Sequence, residues 1–229
     1  MPPYKNRRLS TKDFVYSEIK KQIIEGILEP EQSINEGSLA TELEISRTPI
    51  REALQRLEIE ELVIRLPNGR LKVAPISIGE VKELFTVRSL LEGLIVKEST
   101  LKAKQEDLEI LKRYTQLIIE ASETDQWKDV VSYGSQFHRH LYEISQNRTA
   151  VKMLNQINDH LSRYRRIGPA NDRSRSKQAA TEHKEMFEAI RSRQPDIAEE
   201  LMRKHIEHSL NTAIHSIERH LADSEQSVH

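Results

Sequence analysis

The chain has 229 residues, with 35 Lys and Arg against 36 Asp and Glu, a formal net charge of −1 and no cysteine. At 37% hydrophobic and 31% charged residues it has the composition of a folded chain and not of a disordered one, and without cysteine it can form neither disulfides nor thiolate metal sites. No apolar run is long enough to span a bilayer and no signal peptide heads the sequence, so a soluble cytoplasmic protein with no membrane partner is expected; with a near-neutral charge, any affinity for nucleic acid must come from a local basic surface.

Residues 1–9 read as a loose polar arm carrying Lys5, Arg7 and Arg8. From Ser10 the spacing predicts a helix to about Gly26, with Val15, Ile19 and Ile23 one turn apart on its apolar stripe and the glycine as its stop. Glu29-Pro30 forms a turn, and Ser38 to Leu43 reads as a short helix. Ser46 or Thr48 can cap the next helix, with Pro49 in its first turn. In that helix Ile50, Ala53, Leu54 and Leu57 follow the i, i+3, i+4, i+7 rule and form a buried stripe. Thr48, Arg51 and Gln55 point the other way, and Arg47 stands at the exposed N-terminal end. A short helix, a tight turn and a second helix with Arg and Thr at its tip is the helix-turn-helix arrangement that enters a DNA major groove.

Leu62 to Arg65 and Leu71 to Ala74 are short β-like runs on either side of Pro67-Asn68-Gly69, and Asn-Gly is a strong hairpin signal. A hairpin after a recognition helix is a wing, and Arg65, Arg70 and Lys72 on it would set cations beside phosphates. Ala74 to Ser77 reads as a connection, with Ser77 as a cap, which divides the chain into residues 1–76 and 77–229. From about 78 to 222 everything reads as helix. Breaks near 102–105, 123–126, 146–148, 167–172 and 193–195 give roughly six helices, a reasonable number for a bundle of this length, and a frayed tail follows from Asp223. The expected fold is mainly α: a winged helix-turn-helix with a small β-hairpin, then an all-α bundle.

Polar residues on the inner faces of such a bundle carry information. His138 lies on the stripe of Val131, Leu141 and Tyr142, His183 among Ala179, Ala180, Met186, Phe187 and Ile190, and His205 follows Ile197 and Leu201. His140 should point away. A single inward histidine is ordinarily a hydrogen-bonded core residue. Three from separate helices suit one divalent transition metal, with positions left open for water or a ligand. Arg88 lies on a stripe with Val81, Leu84, Phe85, Leu91 and Ile95, and Glu92 follows one turn on. The pair is either an internal ion pair or an Arg fork aimed at a carboxylate ligand. Tyr164 with Arg163, Arg165 and Arg166 either adds polar groups to such a site or lies on the surface. The last helix carries a second apolar stripe, Ile206, Leu210, Ile214 and Ile217, as a candidate dimer face.

A winged helix containing Ser46-Arg47-Thr48-Pro49-Ile50-Arg51-Glu52-Ala53-Leu54, followed by an all-helical half, resembles the GntR family of bacterial transcription regulators. The second half, with Arg88-x-x-x-Glu92, Phe137-His138, Glu182-His183 and His205, resembles the FadR-like group and its ligand-binding helical domain. The resemblance covers nearly the whole chain. It implies a homodimer that binds double-stranded operator DNA and is released, as a repressor is, or occasionally engaged, by a small metabolite. It also implies that Arg47, Thr48 and Arg51 contact DNA, that Gly69 is the wing tip, and that His138, His183 and His205 stand where metal-binding members carry their histidines. Those members add an aspartate four residues before the first histidine, where this chain has Gly134, and Glu44 replaces the glycine usual in the turn between the two DNA-binding helices.

The expected function is therefore a DNA-binding regulator responding to a small organic acid. Arg47, Thr48, Arg51, Gln55, Gly69 and Arg70 would lie on DNA, and Arg88, Glu92, His138, His183 and His205 around the effector, with Zn²⁺ or Ni²⁺ on the three histidines. The competing reading is a metal-dependent hydrolytic enzyme in which a three-histidine metal activates water. No convincing general base stands beside the histidines in the sequence, and such an enzyme has no need of a winged helix, so an enzyme is not expected. A plain helical interaction module is the third reading.

Overall fold

The computed structural model describes residues 10–165 and 173–226. The chain divides into two compact units, with the boundary between Ile76 and Ser77.

The first unit is built on α1 (Thr11–Ile24), α2 (Glu36–Glu42) and α3 (Arg47–Ile59), with β1 (Ser33–Ile34), β2 (Val63–Arg65) and β3 (Leu71–Val73). Ser10 caps α1 by accepting from the Asp13 N–H, and Asp13 places a negative charge in the first turn, where the helix dipole favours it. Gly26, at φ 66°, takes the left-handed backbone that ends the segment. Val15, Ile19 and Ile23 are buried against Ile50, Ala53, Leu54 and Leu57 of α3 and against Leu62, Leu71 and Val73 of the sheet and its approach. Each such large aliphatic side chain contributes about 1.5–3 kcal/mol by leaving water.

α2 begins two residues earlier than its apolar pattern predicts, because Asn35 caps it by accepting from the N–H groups of Gly37 and Ser38. β1 is a strand the periodicity does not announce, since two residues are too short to alternate. It pairs antiparallel with β3, Ser33 opposite Lys72 and Ile34 opposite Leu71, which gives a sheet of order β1-β3-β2. At the hairpin tip the Leu66 N–H donates to Arg70 O at 2.8 Å, and Gly69 turns at φ 79°.

The second unit consists of α4 (Ile78–Lys102), α5 (Gln105–Glu123), α6 (Trp127–Ser145), α7 (Arg148–Arg165), α8 (Arg173–Arg191) and α9 (Pro195–Gln226). Ser77 caps α4 through the Glu80 N–H, and Pro195 opens α9 at the position where a missing N–H costs nothing. Gln146 and Arg193 take left-handed backbone in the breaks after α6 and α8. The break expected at 167–172 lies outside the described residues, as does the basic arm of Lys5, Arg7 and Arg8. α9 runs on to Gln226, past the frayed tail expected from Asp223.

α4 packs chiefly on α9, and α5 packs on α6 and α8. Phe137, Ile95, Leu111, Ile118, Leu141, Leu154 and Leu161 form the interior. The apolar stripe assigned to a dimer face on α9 is not free: Ile206 and Ile217 are buried within the chain's own fold. Ile197, expected to face inward with His205, is exposed, and Ala198 and Met202 take that side. Exposed apolar residues gather instead on α4, where Val87, Leu90, Leu94 and Leu101 share one face. Among the described residues no helix is long and apolar enough to cross a membrane.

Candidate functional site

α3 presents two faces. Ile50, Ala53, Leu54 and Leu57 are buried, while Arg47, Thr48, Arg51 and Gln55 are exposed on the opposite side. Of the two candidate caps, Ser46 holds the cap position, without a side-chain capping bond, and Thr48 lies inside the first turn. Glu44, in the turn between α2 and α3, is held at φ 53°, where a glycine would sit without strain.

The cations near α3 and the hairpin differ in their engagement. Arg51 Nε donates to Glu36 at 2.7 Å, Arg65 grips Glu58 with two bonds of 3.0 and 2.7 Å, and Lys72 reaches Glu31 at 2.9 Å. Arg51 is 60% exposed, and an ion pair that open to water is worth at most about 1 kcal/mol, little to exchange for a phosphate or a base edge. Arg47 and Arg70 are exposed and pair with no acidic side chain among the described residues.

In the second unit a cavity of about 1130 Å³ opens between α4, α6, α7, α8 and α9. His138 of α6, His183 of α8 and His205 of α9 line it together. Their ring centroids stand 5.6, 5.3 and 4.7 Å apart, and their ligand atoms lie within 4.8 Å of one another. All three are buried.

Each ring is anchored through Nδ1 to a group that only accepts. His138 Nδ1 lies 3.1 Å from Glu92 Oε2, His205 Nδ1 2.6 Å from Glu182 Oε2, and His183 Nδ1 2.7 Å from the Ala179 carbonyl one turn back. Facing carboxylates and a carbonyl, Nδ1 carries the proton in the neutral rings, which leaves Nε2 as a lone pair. His183 Nε2 is buried and has no hydrogen-bond partner. Burial, reinforced by the neighbouring imidazoles, holds His183 well below its ordinary pKa of 6.5; burial, His138 and the Arg175 and Arg88 guanidiniums do the same for His205. Three imidazoles held at Nδ1, with ligand atoms within 4.8 Å of one another and the buried Nε2 of His183 without a partner, are a donor set that suits Zn²⁺ or Ni²⁺, so these residues fit a divalent transition metal.

Arg88 pairs with Glu92 at 3.4 Å, as the internal ion-pair reading expects, and also lines the cavity. Glu92, grouped in the sequence reading with the effector contacts, is fully buried behind His138 and forms no part of the cavity wall. It also accepts from Tyr142 Oη at 2.6 Å. Tyr164 is a wall residue whose hydroxyl donates to Glu80 at 2.6 Å, and Arg163 beside it is buried, so neither belongs to the surface. The side chain of Arg165, and Arg166 altogether, lie outside the described residues. His140 faces away, toward Asp107 and Glu143.

Sequence reasoning missed Arg175, which lines the cavity and donates to Glu182 at 2.9 Å and to Ser209 Oγ at 3.1 Å. The signal was there: Arg175 precedes Glu182 by two helical turns on a face that also carries Ala179. Arg139 and Arg148 were missed as well, and the described wall thus holds four arginines against one carboxylate, that of Glu143. That imbalance favours an anionic occupant.

Residues 83–208 match the FCD domain, and residues 11–73 match the bacterial regulatory proteins of the gntR family. The chain is 28% identical over 206 residues to the HTH-type transcriptional regulator YdhC of Bacillus subtilis (strain 168), covering 89% of this chain and 91% of that one. It is 21% identical over 193 residues to the HTH-type transcriptional repressor RspR of Escherichia coli (strain K12), covering 84% of each. Among solved structures, E. coli McbR/YncC superposes with a TM-score of 0.72 at 18% identity, over 91% of this chain and 99% of that one, which establishes a common fold. With a gntR-type winged helix first and an FCD domain spanning more than half its length, the chain belongs to the GntR family of bacterial transcription regulators.

Proposed function

We propose that this regulator reads its operator through the outer face of α3 and senses a small carboxylate in the α4–α9 cavity, through a divalent metal on His138, His183 and His205. The observation that carries the sensing half is the set of three imidazoles, each fixed at Nδ1, on the wall of a cavity where four arginines face a single carboxylate. A Zn²⁺ or Ni²⁺ ion there would act as a Lewis acid that fixes an anionic ligand. Arg88 and Arg175 would hold the rest of the anion, since guanidinium forks match carboxylates. The one acid on the described wall, Glu143, is outnumbered by Arg88, Arg139, Arg148 and Arg175, so the wall as a whole favours an anion.

A second copy of the chain is the natural partner, since two heads are needed to read two half-sites. The exposed stripe of Val87, Leu90, Leu94 and Leu101 on α4 is the face we assign to it. The protein would work in the cytoplasm, where its DNA is.

The reading head is tested by gel retardation with the DNA that flanks the protein's own gene. Arg51→Ala, which alters an exposed side chain, is expected to weaken binding by about 1–3 kcal/mol, roughly 5- to 150-fold, if Arg51 forms a bidentate base contact. A folded Arg51→Ala protein that retards the same fragment with unchanged affinity overturns the assignment.

A further inference from the structure

Position 134 on α6 has no side chain, and a Cβ built there would lie 3.4 Å from Nε2 and 3.5 Å from Cε1 of His183. Gly134 lines the cavity, and His183 Nε2 is the one ring nitrogen on the described cavity wall that is buried without a hydrogen-bond partner. Nothing in the backbone asks for glycine: the residue lies within a regular helix and its φ is not positive. A glycine in a helix interior costs about 1 kcal/mol relative to alanine, and a methyl group would make only ordinary contact here. What the glycine supplies is open space between the cavity and the donor face of His183.

The chemistry of the centre says what that space is for. Three imidazoles are neutral donors, so a divalent ion bound to them alone keeps its whole charge in a buried site, which is unfavourable without a counter-charge. The neighbouring carboxylates, Glu92 and Glu182, stand behind the rings on the Nδ1 side and cannot reach the Nε2 side. The missing anion must come from the cavity, and Arg88 and Arg175 make that cavity attractive to one.

Building on the metal reading above, we propose that the effector itself supplies the charged ligand: its carboxylate enters over Gly134 beside His183 and completes the coordination, so that metal and effector bind as one unit. Each then raises the affinity of the other by the same factor. The protein is a sensor of the pair and holds metal weakly when the acid is absent.

The test is a competition titration of the metal-free full-length protein with Zn²⁺ against a chromogenic chelator, alone and with acetate, lactate, succinate or glutarate. In the wild type at least one acid should raise Zn²⁺ affinity by about 5- to 150-fold, the usual range of such coupling. Gly134→Asp, which places a carboxylate in the vacant space, should bind Zn²⁺ tightly with no acid present and lose the response to added acid. Gly134→Ala, which narrows the space without adding charge, should show a smaller response and no gain in basal affinity. If the wild type takes up stoichiometric Zn²⁺ with an affinity indifferent to all four acids, the coupling is refuted and the metal centre stands. If neither the wild type nor folded Gly134→Asp binds Zn²⁺ under any of these conditions, the metal reading falls and this inference with it.

Discussion

Replacing Glu92 by glutamine isolates what fixes the orientation and tautomer of His138. Arg88 Nε at 3.4 Å and Tyr142 Oη at 2.6 Å converge on Oε1, and His138 Nδ1 approaches Oε2 at 3.1 Å. Burial pushes this carboxyl's pKa up, but His138, Arg88 and Tyr142 together outweigh burial and bring it to about 2. The gap between that value and the ordinary 4.5 corresponds to roughly 3 kcal/mol of preference for the anion over the neutral group. Glutamine has nearly the same shape as glutamate but no charge. Arg88 and the Tyr142 hydroxyl still require an acceptor, so the amide oxygen stays on their side and the NH₂ turns to His138. A donor facing Nδ1 moves the ring proton to Nε2, where it blocks the lone pair a metal would use. Glu92→Gln should therefore keep its helical far-ultraviolet dichroism while losing about 2–4 kcal/mol of unfolding free energy in urea, because a buried cation has lost its counter-charge. Its Zn²⁺ affinity should fall about 10- to 100-fold, the usual effect of removing a group that orients a ligand. A variant with the wild-type midpoint and wild-type Zn²⁺ affinity would refute the claim that Glu92 neutralises Arg88 and sets the His138 tautomer.

Three further outcomes follow from other parts of the molecule. His183 and His205 are held below 6.5, so the unfolded chain takes up protons that the folded one refuses. The metal-free protein should keep full stability above about pH 6.5 and lose about 1.4 kcal/mol per pH unit for each ring below it, so a melting temperature that stays flat between about pH 7 and 5 would contradict the burial argument. Glutamates at Leu90 and Leu94 should convert a dimer seen by sedimentation into a monomer, and a double variant that remains dimeric would move the interface off α4. Glu44→Gly relieves a left-handed backbone at φ 53° and should raise the stability of the DNA-binding head by about 0.5–1 kcal/mol, after the greater freedom of glycine in the unfolded chain is set against it; a lower midpoint in thermal denaturation counts against strain there.

Much of this architecture was legible because each boundary carries its own chemistry. Ser10, Ser77, Gly26 and Pro195 mark helix ends by capping, left-handed backbone or a fixed φ, and those are local signals. The histidine cluster was legible because all three rings interrupt apolar stripes. What stayed hidden depends on contacts between distant parts of the chain. Arg51 with Glu36, Arg65 with Glu58 and Lys72 with Glu31 neutralise cations that look free in sequence. The same limit explains the two apolar faces of α9 and α4. A stripe shows that a helix buries something, but only the packing of α9 shows that Ile206 and Ile217 are covered by their own chain while Leu90 and Leu94 are not. Arg175 stands one turn before Ala179 on the face of α8 that carries His183, but an arginine near a helix start reads equally well as a solvated one, and its place on the cavity wall depends on how α8 meets α9.

The three anchors behind the histidines also differ in how far mutation can reach them. Glu92 and Glu182 are side chains, so one codon change at either retunes His138 or His205 without touching a ligand. His183 is held by the main-chain oxygen of Ala179, which every amino acid at position 179 possesses. One ring is thus insulated from sequence drift in its surroundings while the other two can be adjusted through their partners. If the centre holds the proposed metal, a weaker or different response can be reached by single steps around a fixed point, with the three imidazoles themselves unchanged.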